Sequence, residues 1–558
     1  MKNYLWIFIF FGVFLFVFFL THKSPPVAKE KKDHSFVFVI SSRNSEKIIE
    51  KSLSSILSQT YQNYRVIYID DGSGDHTEKI AKAFIKKNDS EKKINFLHFE
   101  KPLGLLERAY SAAFTTYDDE IIIFLDERAY LEDNHALEKI NESFKNYDIW
   151  LLYGSCINDK NNRLEKAVKI QLSNLFSNSV RSFFWKPCMF KAFYSSLFKK
   201  IKLEDFFFRG KFTSSSFDAS YMFPLLEMAS DHTLCSIKAL CHYLPKEKAC
   251  LPCDRAKIKC MRKIRFSSSY KALDTLACEE NKTKADLIIF SYHRPLQLFA
   301  LLQSLEQYVK GLENISVIYR SDNEKFSEAY EKVKKRFPNI RYILQSSNPK
   351  KDFKPLLLQT IKSSNDYIIF AVDDIIFKDY VDLSLCMDHL EKTNSYFFSL
   401  RLGEHINYCY MGDYNQPIPH HVMLPDEIMG WHIDAATGDW DYPTSVDVTI
   451  YRKEDIMQDF SQISFNNPNS LEINWFDFYK KKHLKKDRYR TGLCFVKSKA
   501  VNLPLNLVNI SDNRNMDIFS AETLLQKFND NYLLDISSID KIENRSVHME
   551  IEPEFIKR

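Results

Sequence analysis

The sequence predicts an α/β fold built from two parallel-sheet, Rossmann-like units in tandem behind an N-terminal transmembrane helix. Three observations lead there. Short apolar runs alternate with helical stretches over residues 36–126, the same order recurs over 286–374, and an uncharged apolar run at 4–20 precedes both. Strands separated by helices form crossover units, and crossovers place helices on both faces of a parallel sheet. Charged residues make up 27% and hydrophobic residues 45% of the chain, values of ordinary globular domains, which excludes a mostly disordered or polytopic membrane chain. The net charge of +4 is small and spread along 558 residues, so no nucleic-acid partner is expected.

Taken in order, residues 4–20 (YLWIFIFFGVFLFVFFL) carry no charge. As a helix they span about 26 Å, close to a bilayer core of about 30 Å, and predict a single-pass membrane anchor. Residues 1–33 are therefore read as anchor and stalk. Lys23, Lys29, Lys31 and Lys32 follow the run and only Lys2 precedes it, which places the body on the cytoplasmic side of a bacterial membrane. In a eukaryotic cell a lumenal body is the alternative.

The first unit, 34–245, opens with strands FVFVIS (36–41), YRVIYID (64–70), INFLHF (94–99) and EIIIFLD (120–126), separated by helical stretches. A polar, basic linker follows at 246–284. The second unit, 285–510, repeats the order with DLIIFS (286–291), ISVIYRSDN (315–323), RYILQ (341–345) and DYIIFAVDD (366–374), and predicts an internal duplication. Residues 511–558 form a C-terminal appendage.

Ligands of such sheets sit at the C-terminal ends of the strands, so Ser41, Asp70, Asp71 and Asp126 fall in one crevice. In YIDDGSGDHT a strand runs into two carboxylates, a glycine turn and a helix start. This suits recognition of a base or ribose by acceptor groups, and equally an acidic turn that caps a helix. In the second unit Asp373 and Asp374 end a strand, either as an acidic turn or as two hard oxygen ligands for a divalent cation. Downstream, GDWDYPTSVDVTIYR (438–452) sets carboxylates, among them Asp447, beside Trp440 and Tyr442. Aromatic faces with acceptors between them suit a sugar, although a buried hairpin has the same composition.

The stretch FVFVISSRNSEKIIEKSLSSILSQTYQNYRVIYIDDGSGDHT (36–77) resembles the start of family 2 glycosyltransferases. The likeness continues through Pro102, Gly104 and Arg108 in KPLGLLERAY, through EIIIFLDERAYL (120–131) where that family carries an Asp-x-Asp motif, and through SFDASYMFPLLEMAS (216–230), covering about residues 36–245. The resemblance implies a GT-A fold and transfer of a sugar from a nucleotide donor to a hydroxyl, with inversion and a divalent metal, Mn²⁺ or Mg²⁺, on the diphosphate. By position Asp70 and Asp71 hold the nucleoside, Arg108 assists the nucleotide or the loop, and Asp126 sits at the metal motif; Asp218 is the general-base candidate, with Glu204 and Asp205 as weaker alternatives and a helix N-cap as its other reading. IIFAVDDIIFKDY (368–380) is similar to a GT-A-type acidic motif, which implies metal ligation by Asp373 and Asp374; Asp447 of the 438–452 segment is the second unit's catalytic candidate.

One departure stands out: Arg128 occupies the place of the second aspartate of Asp-x-Asp. The first unit then binds metal through Asp126 and Glu127, uses the Arg128 cation in place of metal, or has lost turnover. The expectation is a membrane-anchored glycosyltransferase acting on a cell-envelope glycan or glycolipid acceptor. The alternatives are a decayed, glycan-binding module and an enzyme active only in its second unit.

Overall fold

A computed structural model describes residues 32–126, 128–182, 190–213, 217–245, 255–276, 284–346, 348–484, 491–506 and 519–557. Its first half contains β1 (Phe36–Ser42), β2 (Tyr64–Asp71), β3 (Ile94–Phe99), β4 (Ile121–Leu125), β5 (Ala129–Leu131), β6 (Leu151–Asn158), β7 (Arg163–Glu165), β8 (Phe190–Tyr194), β9 (Phe207–Phe208), β10 (Lys211–Phe212) and β11 (Thr233–Tyr243). All but the β9–β10 hairpin join one sheet, in the order β3-β2-β1-β4-β8-β6-β11-β5 with β7 on β6. The four N-terminal strands β1 to β4 are mutually parallel, and β8 runs antiparallel between β4 and β6. Every residue of β1 is buried, as an unbroken apolar run covered on both faces requires.

The second half contains β12 (Ala285–Tyr292), β13 (Val309–Lys310), β14 (Leu312–Arg320), β15 (Arg341–Leu344), β16 (Tyr367–Val372), β17 (Ile375–Phe377), β18 (Val381–Asp382), β19 (Phe397–Ser399), β20 (Tyr408–Cys409), β21 (Tyr414–Asn415), β22 (His421–Leu424), β23 (Ile428–His432), β24 (Thr449–Arg452), β25 (Thr491–Phe495) and β26 (Ala500–Asn502). Its main sheet has the order β15-β14-β12-β16-β24-β19-β25-β23-β22. The pairing senses repeat those of the first sheet: β12, β14, β15 and β16 are parallel, and β24 runs antiparallel between β16 and β19. β25 then lies parallel to β19, as β11 lies parallel to β6. Even the short strand after the acidic turn repeats, since β5 lies antiparallel on the end of β11 and β17 lies antiparallel on β26.

The halves share one apolar core that contains Tyr110, Phe206 and Phe212 together with Val422, Leu424 and Ile428. At the seam, Phe207 packs 5.8 Å from the His432 ring, and His420 Nε2 lies 3.4 Å from Glu107 Oε2. Gly210 has φ +74, and a Cβ there would stand 2.1 Å from the Ala435 Cβ, so both backbone conformation and close approach demand glycine. Within the expected linker, helix Arg255–Phe266 docks through Cys260 and Ile264, one helical turn apart and both buried in the core. In the expected appendage, helix Ala521–Asn529 sets Phe528 5.8 Å from Phe299 of helix Pro295–Tyr308.

One expectation is corrected. Among the described residues no helix is long and apolar enough to cross a membrane, so the single-pass anchor, the membrane partner and the cytoplasm-facing body are not supported. Hydropathy and length alone carried that expectation, and the run at 4–20 lies outside the described residues.

Candidate functional site

The register of the first sheet brings the predicted residues to one edge. Ser41 stands opposite Ile69, Ser42 opposite Asp70, and Asp70 opposite His98, while Asp126 directly follows the last residue of β4. Ser41, Asp70, Asp71 and Asp126 thus share the C-terminal rim of the parallel strands, where ligands of such sheets sit. The Ser41 hydroxyl is buried and has no hydrogen-bond partner among the described residues, an exception that a bound polar group would resolve.

Asp70 and Asp71 are adjacent but do different work. Asp71 is 1% exposed and accepts from the Leu103 N–H (3.0 Å), the Gly104 N–H (2.9 Å) and Arg108 Nε (3.1 Å). It therefore fixes the loop that precedes helix Leu105–Ala113, and Arg108 in turn lies 3.5 Å from the centre of the Phe99 ring. Asp70 accepts from the Ser73 hydroxyl and sits 2.9 Å from His98 Nδ1. His98 Nε2 is 3.7 Å from Glu78 Oε2, and one donor atom each from Asp70, Glu78 and His98 lie within 4.8 Å of one another. One imidazole and two carboxylates at that spacing fit a divalent cation. His98 and Glu78 escaped the sequence reading because each is a lone polar residue in an ordinary strand or helix start.

Asp126 faces a guanidinium. Arg128 donates its backbone N–H to Asp126 Oδ1 (3.0 Å) and Nη2 to Oδ2 (3.2 Å), with Nε 3.1 Å from Oδ1. Glu127 lies outside the described residues. Among the described residues of this motif Asp126 is the one carboxylate, and it is paired to the Arg128 guanidinium. Asp218 lies in the first turn of helix Phe217–Ala229, where Lys191 Nζ (2.6 Å) and the Tyr221 hydroxyl (3.0 Å) both donate to its Oδ1. Lys191 stands opposite Phe124 in the register, so Asp218 is tethered beside the end of β4.

The second rim is denser in charge. Arg294 Nη1 reaches both Asp373 Oδ1 (3.1 Å) and Asp374 Oδ2 (3.3 Å), and Asn502 Nδ2 donates to Asp374 Oδ1 (3.1 Å). Burial pushes the Asp373 carboxyl up to about 6 despite the opposing pull of Arg294. Asp447 Oδ2 lies 2.9 Å from Arg401 Nη1, which also donates to Asn502 Oδ1 (2.7 Å). Burial raises the Asp447 carboxyl, with Arg401 opposing and Asp374 adding to the rise. Behind Asp447, Glu472 accepts the Val446 N–H (2.7 Å) and is pushed up to about 8 by burial and by the Asp447 charge. Val448, next to Asp447, is held at φ +38, a sparsely populated conformation for a β-branched residue. Arg294, Arg401 and Glu472 were not foreseen, since contacts between segments far apart in sequence leave no local signal. Here too an arginine bridges the two carboxylates expected to hold metal, so the described residues do not fit an ion between them.

Comparisons agree with the first half. Residues 37–212 match the model described as Glycosyl transferase family 2. The chain is 26% identical over 215 residues to the bifunctional glycosyltransferase pgtA of Dictyostelium discoideum, covering 34% of this chain and 27% of that protein. It is 27% identical over 115 residues to the glycosyltransferase GlyG of Streptococcus pneumoniae, covering 21% of this chain and 36% of that one. The chain thus spans well under half of either relative's length. A crystal structure of S. aureus TarS 1-349 in complex with UDP-GlcNAc overlaps at 16% identity with a TM-score of 0.32, over 41% of this chain and 65% of that one. The likeness to glycosyl transferase family 2 thus rests on residues 37–212.

Proposed function

We propose that the protein transfers a sugar from a nucleotide-sugar donor to a hydroxyl of a glycan or glycolipid acceptor, with inversion at the anomeric carbon, at the rim of its first sheet. The observation that carries this reading is the convergence of Ser41, Asp70, Asp71 and Asp126 on one strand edge within the family-matched segment. In this reading the Asp71-anchored loop and Arg108 shape the nucleotide pocket, and the unpaired Ser41 hydroxyl meets the donor. Asp218 takes the proton of the attacking acceptor hydroxyl, steered by Lys191 and Tyr221. The leaving diphosphate needs a cation, and Arg128 supplies one beside Asp126. A divalent ion, Mn²⁺ or Mg²⁺, would be held by Asp70, Glu78 and His98 and would add positive charge near the nucleotide. A cell-envelope acceptor is not retained, because the anchor alone motivated it.

The test is calorimetric titration of the chain with UDP, GDP and their sugars, with and without Mn²⁺. Binding that Asp70→Ala abolishes is the expected result, and no binding of any donor would overturn the reading. A second reading, turnover confined to the second half, is favoured by one observation: the strained Val448 beside Asp447, since strain is retained where it aims a functional group. Asp374→Ala separates the two, because under that reading it abolishes turnover while Asp70→Ala spares it.

A further inference from the structure

Between the two halves lies a cavity of about 1190 Å³, walled by residues 202–210, by helix Arg255–Phe266 with the stretch that follows it, and by residues 432–435. Of the residues singled out in the sequence, the weaker base candidates Glu204 and Asp205 line it, and the strand-rim residues do not. Its charge is lopsided in a specific way. Lys202, Arg209, Lys259 and Lys271 line it, and among the described residues none of their side chains has a carboxylate partner. The same wall carries three acids, Glu204, Asp205 and Asp434, against five cations with Lys263 included; Asp205 accepts from the Tyr270 hydroxyl (2.5 Å), and Asp434 Oδ1 lies 3.8 Å from Lys480 Nζ. Lys263 donates to the Phe207 carbonyl at 2.5 Å and adds a half-buried cation to the wall. Aromatic faces alternate with these charges: Phe266 is 88% exposed, Phe208 lines the opposite segment with Arg209 5.5 Å from its ring centre, and Tyr270 closes the wall.

Unpaired cations in a concavity raise the local concentration of anions. Exposed aromatic faces among polar groups suit the CH faces and hydroxyls of a sugar ring, which neither a bare ion nor an aliphatic chain would use. We propose that this cavity between the halves binds an anionic saccharide, its acid groups on Lys202, Arg209, Lys259 and Lys271 and its ring faces on Phe208 and Phe266. The close approach of Gly210 to Ala435 makes the cavity a joint product of both halves, which explains what a second sheet contributes to the first. The inference concerns binding alone and stands whether or not the strand rim transfers sugar.

The test titrates the full chain with trigalacturonic acid, maltotriose and inorganic phosphate, and measures UDP binding on the same samples as a separate readout of the donor site. Trigalacturonic acid is expected to bind, and the exposed double variant Lys259→Glu with Lys271→Glu to weaken it by about tenfold or more. The control double variant Lys86→Glu with Lys87→Glu, the same charge change on helix Thr77–Asn88, is expected to leave that affinity within about twofold. Equal weakening by both variants would reduce the effect to bulk charge and overturn the assignment. Phosphate binding as tightly as the trisaccharide, maltotriose binding as tightly, or no saccharide binding at all would each overturn it as well. Loss of UDP binding with trisaccharide binding intact would strike the transferase reading instead.

Discussion

Arg108 Nε lies 3.1 Å from Asp71 Oδ1, and this pair joins the end of β2 to the helix that follows the 100–104 loop. Arg108 is 11% and Asp71 1% exposed at the side chain, so the ion pair is desolvated and its partners cannot be replaced by water. Asp71→Ala would strand the Arg108 guanidinium and two backbone N–H groups, at a cost of about 3–5 kcal/mol. We expect a clear drop in thermal midpoint together with lost donor affinity. Asp70→Ala, which frees only a serine hydroxyl and a histidine, should lose donor affinity with a much smaller drop. Equal destabilisation by both would contradict the division of labour between the two aspartates.

Arg128 beside Asp126 leads to a prediction about metal. If the guanidinium serves the leaving diphosphate, transfer by the native chain should tolerate EDTA in large part, and Arg128→Ala should slow kcat by about 10²-fold. Arg128→Asp would place two carboxylates where one carboxylate and a cation now stand. That variant should bind no donor without Mn²⁺ and recover binding when Mn²⁺ is added. Transfer by the native chain that EDTA abolishes, with Arg128→Ala fully active, would assign the charge to a bound ion.

The strands were legible in the sequence because both faces of each parallel sheet are buried, which leaves unbroken apolar runs such as FVFVISS in β1 and YIIFAV in β16. The acidic residues at their ends were legible for the same reason, since a charge that stops an apolar run marks the strand's C-terminal rim. Partners were not. Asp70 and Asp71 read alike in sequence, yet one faces His98 and the other holds a backbone loop, a difference created by residues 28 to 37 positions away. Arg294 and Asp373 are 79 positions apart, and Glu472 sits in a helix with no pattern to distinguish it. The seam between the halves was equally hidden, because Gly210 needs Ala435 to reveal why it is glycine.

Val448 is fully buried at φ +38, so its side chain stabilises the core while its backbone is strained. Burial of a valine is worth about 1.5–3 kcal/mol and the strained conformation costs about 1–3 kcal/mol. Val448→Ala loses burial and keeps the strain, whereas Val448→Gly loses slightly more burial and releases the strain. At most sites glycine is the less stable of the two by about 0.5–1 kcal/mol; here urea unfolding should find Val448→Gly at least as stable as Val448→Ala. The reverse order would show that the backbone here is relaxed.

The carboxyls behind Arg401 set a pH dependence whose sign is fixed by burial. Glu472 is raised from an ordinary 4.5 to about 8, first by burial and then by the Asp447 charge. Between these values the unfolded chain has released the proton and the folded chain keeps it, so the folded state binds more protons and stability falls as pH rises from 4.5 to about 8. Above that window the contribution is lost and the curve flattens. His432 acts in the opposite sense: burial lowers it from 6.5 to about 4, so the unfolded chain binds the proton first and stability falls as pH drops through that lower window. Glu472→Gln keeps an oxygen for the Val446 N–H and removes the titration. Thermal midpoints recorded across pH should fall on the alkaline side in the native chain and stay flatter in Glu472→Gln, while the acid-side loss persists in both. An unchanged alkaline fall in the variant would show that Glu472 is already ionised in the folded protein at neutral pH.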